Sequence, residues 1–154
     1  MIHALAFLLL TLNLYAISSQ EVFTIAKQYT KYPSTIVAIV QVESTNGKFI
    51  VGDDGKSLGI TQLQVATIRW LATKDRKLRY LDKVTDLQLR TLLIRNEELC
   101  ILITSRLINY YIKRYGYFEA ISRYNGGRKN YVYYNKIITA KNQWLNNKSR
   151  GETK

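Results

Sequence analysis

The sequence predicts a mainly α domain interrupted by one short loop or hairpin. Apolar residues recur at three- and four-residue steps over most of the chain. The β-prone residues gather in one piece, Phe49-Ile50-Val51, set among Gly47, Gly52, Asp53, Asp54 and Gly55. Length bounds the architecture: 154 residues, with no repeat and no linker long enough to divide them, fit one domain with a sizeable core.

The elements follow in order. Ile2 to Ala16 is nearly continuous apolar sequence without Lys, Arg, Asp or Glu, and it runs into small residues at Ala16 and Ser18. This is the pattern of a secretory signal peptide over residues 1–18, its apolar run being shorter than the roughly 20 residues of a spanning helix; a retained anchor is the other reading. Val22, Ile25, Ala26 and Tyr29 predict a helix over 22–32 that Pro33, the only proline, ends. Ser34 is expected to cap a second helix, 34–44, with Ile36, Ile39 and Val40 as its apolar stripe. The loop or hairpin occupies 45–58, and helix returns over 65–72. Thr85-x-x-Gln88 reads as a capping box opening another helix. Leu99, Ile103 and Leu107, with Tyr110 or Tyr111, predict a long helix over 96–115 that stops at Gly116. Two more follow at 118–124 and 131–145. The folded domain then spans 19–146, with a polar, fraying tail at 147–154.

Composition excludes several chemistries. Cys100 is the only cysteine, so no internal disulfide forms, and the only histidine, His3, lies in the leader. Cys/His nucleophile pairs, Ser/His/Asp hydrolysis and Cys/His zinc sites therefore lack partners. Carboxylate chemistry is what remains. The net charge of +12 belongs entirely to the part after the leader, which points to solubility or to an anionic partner, outside the cytoplasm an envelope polymer or membrane surface before nucleic acid. Gly52-Asp53-Asp54-Gly55-Lys56-Ser57 has Ile50 where a phosphate loop needs Gly, and its aspartates lack the alternation of a calcium loop. The tyrosine-rich stretch from Tyr110 to Tyr134 has the interleaved basic residues of a single-strand platform, but its helical spacing favours core and groove lining.

Glu43 is the carboxylate that stands out. It is the next position, i+7, on the stripe of Ile36, Ile39 and Val40, so an acid is aimed inward. Apolar neighbours disfavour its charged form and raise its pKa, which suits a general acid. Glu43-Ser44, Ser57-Leu58-Gly59-Ile60-Thr61-Gln62, Asn96 and Ser122-Arg123-Tyr124-Asn125-Gly126-Gly127 follow in this order, each at a helix end or in a turn.

This ordered set, over about residues 22–138, resembles the soluble-type lytic transglycosylase domains of the lysozyme-like superfamily. The resemblance implies a lysozyme-like α (α+β) fold with the short hairpin after the catalytic helix. It implies cleavage of the β-1,4 bond between N-acetylmuramic acid and N-acetylglucosamine in peptidoglycan strands, leaving a 1,6-anhydro sugar, without metal or organic cofactor. Glu43 would be the single catalytic carboxylate, first acid and then base. Ser44, Ser57, Gln62, Asn96, Tyr124 and Asn125 would serve substrate binding, with the Tyr124 hydroxyl near Glu43. With the leader, the reading is an exported monomer of the periplasm or cell envelope with no nucleic-acid partner, and the resemblance implies work beside an envelope-spanning secretion machine. Thr61 replaces the family's usual Met, Cys100 stands where Gly is common, and no Pro follows Glu43-Ser44; these differences bear on substrate preference. Two other readings stand beside it: a hydrolase in which Asp53 or Asp54 positions water opposite Glu43, and a silent glycan-binding assembly protein.

Overall fold

The computed structural model describes residues 16–152, so the leader as far as Tyr15, and Thr153 and Lys154 of the tail, lie outside the described residues. The chain is mostly helical, with six α-helices and one small sheet among the described residues. Helix α1 (Ser19–Ala26) opens on a capping box: Ser18 Oγ accepts from the Glu21 N–H at 3.2 Å, and the Glu21 carboxylate accepts from the Ser18 N–H at 2.9 Å. Ile17, beside it, is in the core at 6 % exposure. A cut after Ser18 would strip both the cap and that core side chain from the domain.

The first helix stops at Ala26 rather than Tyr32, because side chains from elsewhere satisfy the chain there. Asn109 Nδ2 donates to the Tyr29 carbonyl at 2.9 Å and Thr30 Oγ1 donates to Asn109 Oδ1 at 2.7 Å. Pro33 opens α2 (Pro33–Ser44) instead of ending α1. Its missing N–H costs nothing in a first turn and its ring pre-sets φ; the N-cap is Tyr32, without a side-chain bond, so the expected Ser34 cap does not form.

Helix α2 is enclosed on every side, Thr35 to Val40 being at most 1 % exposed. It packs chiefly on α6 (Tyr131–Ser149) and on α1. After α2 the chain makes a three-stranded antiparallel sheet in the order β1 (Val51–Gly52), β2 (Ser57–Leu58), β3 (Leu63–Gln64). Leu58 pairs with both Val51 and Leu63, and Ser57 with Gly52 and Gln64. The expected hairpin therefore gains a third strand from the residues after Gly59. Its first connection is a 3-10 turn, Asp53–Gly55, in which both Asp53 and Asp54 have positive φ, a conformation short polar side chains tolerate.

Helix α3 (Val65–Lys74) leads into a 3-10 segment, Arg76–Lys83, which the apolar periodicity did not reveal. Its buried Leu78 and Leu81 anchor it, and the Arg69 guanidinium gathers the Leu81 carbonyl, the Val84 carbonyl (2.6 Å) and the Asp86 carboxylate (2.8 Å). The Thr85–Gln88 capping box forms at the head of α4 (Asp86–Arg95). Helix α5 (Glu97–Tyr124) breaks at Gly116, whose φ of 80° leaves the helical region where the sequence predicts a stop. Helix α6 runs past Leu145 to Ser149, and Gly151 at φ 73° closes it. The Lys148 ammonium, 3.7 Å from the Phe23 ring centroid and 4.8 Å from that of Trp144, clamps this last turn to α1, so the expected tail begins as helix. Among the described residues no helix is long and apolar enough to cross a membrane.

Ile39 is fully buried in the enclosed helix. Ile39→Ala is expected to cost about 3 kcal/mol, the usual range for truncating a core aliphatic; a denaturant midpoint lowered at unchanged slope checks it.

Candidate active site

Burial of α2 from Thr35 to Val40 leaves only its two ends to reach the surface, and at the C-terminal end Glu43 meets a cleft of about 580 Å³. Thr45, in the left-handed conformation at φ 52°, turns the chain out of the helix. Ser44 is 1 % exposed: its hydroxyl donates to the Ile60 carbonyl at 2.7 Å and accepts from the Gly47 N–H at 2.8 Å. It ties the helix end to the returning sheet and has no free group for a ligand.

The same cleft is lined by Asp53, Ser57, Gln62, Tyr124 and Asn125. Ser57 comes from β2, its hydroxyl donating to Asp53 Oδ2 at 2.5 Å. Gln62 sits at φ 51°, and its amide donates to the Gly59 carbonyl at 3.0 Å and the Phe49 carbonyl at 3.3 Å. A Cβ on Gly52 would collide with that amide, so the glycine makes room for it. Asn125 ends α5 and accepts from Asn130 Nδ2 at 3.3 Å. Asn96 is not among the lining residues: it caps α5, accepting from the Leu99 N–H at 2.8 Å. Asp54 is not among them either. Cys100 lies behind the site, fully buried against Gly59. It donates to the Leu93 carbonyl at 3.1 Å, and burial pushes its thiol pKa up to about 12.

Two tyrosines stack beside Glu43, their centroids 6.3 Å apart and planes 15° off parallel. Tyr124 bonds its hydroxyl to the Thr61 carbonyl at 2.6 Å and Thr104 Oγ1 at 3.3 Å, and the nearby charge of Glu43 adds to burial in raising its pKa. The hydroxyl on Glu43 belongs instead to Tyr133, which donates to Oε1 at 2.5 Å. The resemblance implied the Tyr124 hydroxyl near the acid; the bonded one comes from α6. A signal for it was present, since Tyr133, Ile137 and Trp144 fall on one helical face and are the buried residues of α6. A phenol on a core face needs a polar partner.

The electrostatics follow from burial. Desolvation raises the Glu43 pKa, the Tyr133 hydrogen bond opposes that, nearby Asp53 adds to the rise and Lys136 offsets part of it. Burial and the charge of Glu43 push Tyr133 well above an ordinary phenol, so it stays a donor. The cleft thus holds one half-buried carboxyl able to keep a proton, a fixed phenol behind it, and polar side chains along its lining.

A scan against protein-family models matches residues 20–153 to the transglycosylase SLT domain. Comparison with curated proteins and with solved structures gives no match. The matched span takes in the whole cleft, from Glu43 to Gly127, and Tyr133 behind it. The chain belongs to the transglycosylase SLT family of mainly α, lysozyme-like domains, lytic transglycosylases whose substrate is the peptidoglycan of the cell envelope.

Proposed function

We propose that Glu43 is the catalytic acid and base of this chain and that the product is a 1,6-anhydromuramyl sugar. The protonated Glu43 gives its proton to the glycosidic oxygen as the bond to C1 breaks. The carboxylate so formed takes the proton of the muramyl 6-hydroxyl as that oxygen closes on C1, which restores Glu43 without consuming water. Tyr133 is the positioning residue. Its hydrogen bond strengthens as Glu43 becomes charged, so it favours the transition state over the resting acid. Ser57, Gln62, Tyr124 and Asn125, which line the same cleft, hold the sugars. The observation that carries this reading is the half-buried Glu43 carboxyl, raised in pKa and held by one phenol at the cleft. Export to the envelope rests on the leader pattern, and work beside a secretion machine on the resemblance.

Asp53 favours one other reading, hydrolysis, because it shares the cleft and its charge acts on Glu43. The products separate the two. Mass spectrometry of muropeptides released from sacculi is expected to show anhydro ends with the native protein and with Asp53→Asn; reducing ends that vanish in Asp53→Asn would establish the hydrolase.

Glu43→Gln is expected to lower cleavage by roughly 10²-fold or more at unchanged melting temperature, since it keeps the shape and removes the proton. Residual activity close to the native rate would exclude Glu43 as the acid.

The pH profile tests the tuning. An essential protonated Glu43 makes kcat/KM fall as pH rises through its pKa, so the alkaline limb should lie above that of a free carboxyl. Tyr133→Phe removes the interaction that favours the charged form, so that limb should move further up in pH while the rate drops about tenfold. A lower rate with an unmoved limb would assign Tyr133 to packing alone.

A further inference from the structure

Helix α5 separates the cleft from a second hollow. Leu107 and Tyr111 line the cleft, whereas Asn109, Ile112 and Lys113 line a hollow of about 490 Å³; at roughly 100° per residue the two sets leave the helix on opposite sides. The other wall of the hollow is the turn from Lys27 to Tyr32, between α1 and α2. Asn109 holds this turn to α5 through its bonds to Tyr29 and Thr30, so the hollow is built into the fold. Tyr29, Tyr32 and Ile112 line it half-buried, the Tyr29 hydroxyl engaged by Glu98 at 2.7 Å and the Tyr32 ring 5.3 Å from that of Tyr117. The rest of the lining is basic. Lys27, Lys31 and Lys113 are exposed, and none of them is in an ion pair among the described residues. Lys27 lies 5.9 Å from the Phe23 centroid, which leaves its charge unneutralised. A fourth ammonium, Lys141, stands on the Tyr117 hydroxyl at 3.0 Å, next to Tyr32. No Asp or Glu lines the hollow.

We propose that this hollow docks an acidic segment of a protein partner, one in which carboxylates flank an aromatic or aliphatic side chain. Like charges gathered without counter-charges repel, and a segment bearing carboxylates relieves that repulsion as it binds. The two tyrosines and Ile112 take up the apolar side chain, whose burial adds a contribution that salt does not screen. This pairing of apolar lining with lysines favours a peptide over other anions. A membrane brings headgroups to the lysines but leaves a concave hollow unfilled, and a phosphate polymer has nothing apolar to place in it. Because the hollow and the cleft lie on opposite sides of α5, the partner holds the protein without covering Glu43. The inference does not depend on the reading of the cleft.

The test uses short synthetic peptides in which Asp or Glu flank one Phe, Tyr, Leu or Ile, beside two control sets. In one the carboxylates are replaced by amides, and in the other the apolar residue is replaced by Gly. The protein should bind members of the first set, with both controls about tenfold weaker, and binding should fall as salt rises from about 50 mM to 0.5 M. For the tightest peptide, combining Lys27→Glu, Lys31→Glu and Lys113→Glu should lower affinity roughly tenfold or more at native melting temperature. Combining Lys74→Glu, Lys77→Glu and Lys83→Glu, exposed lysines outside the hollow, should change it little. Ile112→Ala should weaken the first set and leave the Gly controls unchanged. The proposal falls if no peptide of the first set binds at low salt, if the two lysine triples weaken binding equally, or if the Gly controls bind as tightly as their parents. It falls equally if anionic lipid vesicles or inorganic polyphosphate bind the protein as tightly as the best peptide and lose it to the same triple variant, which would make the patch a general anion surface.

Discussion

Helix α2 has no free face. From Thr35 to Val40 it is wrapped by α1, α5 and α6, and a helix buried all round reaches solvent only at its ends. That enclosure fixes Glu43. The acid sits on the last turn, so any slip of α2 in its socket would carry apolar groups into water, and the carboxyl stays at the boundary between core and cleft. Ser44 fastens the same end to the sheet through Ile60 and Gly47, so helix and loop cannot move apart without exposing a buried hydroxyl. The loop in turn carries Ser57 and Gln62, and the facing wall of the cleft is set by the packing that sets Glu43.

Two stacked tyrosines divide the work behind the acid. Tyr124 ties the end of α5 to the Thr61 backbone and so holds the turn beginning at Asn125 against the loop. Tyr133 gives its hydroxyl to Glu43. A carboxyl in a half-buried site is pulled two ways: burial favours the neutral acid, while a donor phenol favours the anion. A group that must give a proton and then take one back needs both states within reach, and the Tyr133 hydrogen bond opposes the rise in the Glu43 pKa that burial causes.

The loop is economical in how it meets the core. Gly59 is wedged against the Leu93 carbonyl and Cys100, where no Cβ fits, and Gly52 leaves space for the Gln62 amide. With Cys100 fully buried behind Gly59, its replacement of a usual Gly leaves the cleft wall untouched, and the thiol is a small packing group. The basic character of the chain concentrates no single block of charge, and Arg123, the arginine that lines the cleft, has its charge met by Glu119 at 3.1 Å.

Periodicity and punctuation, read from the chain alone, determined the helices, the break at Gly116, the Thr85 capping box and the inward aim of Glu43. These depend on residues within a few turns of one another, so local sequence contains them. The order of Glu43, Ser57, Gln62, Tyr124 and Asn125 also marked residues that share the cleft. The early end of α1, the third strand, the 3-10 segment at Arg76–Lys83 and the extension of α6 depended on distant partners: Asn109, β2, Arg69 and Phe23. So did the identity of the hydroxyl on the acid. The sequence separation between Glu43 and Tyr133 is 90, and only the packing of α6 on α2 brings them together. A helical period tells which way a side chain leaves its own helix; which group waits there is decided by the tertiary fold.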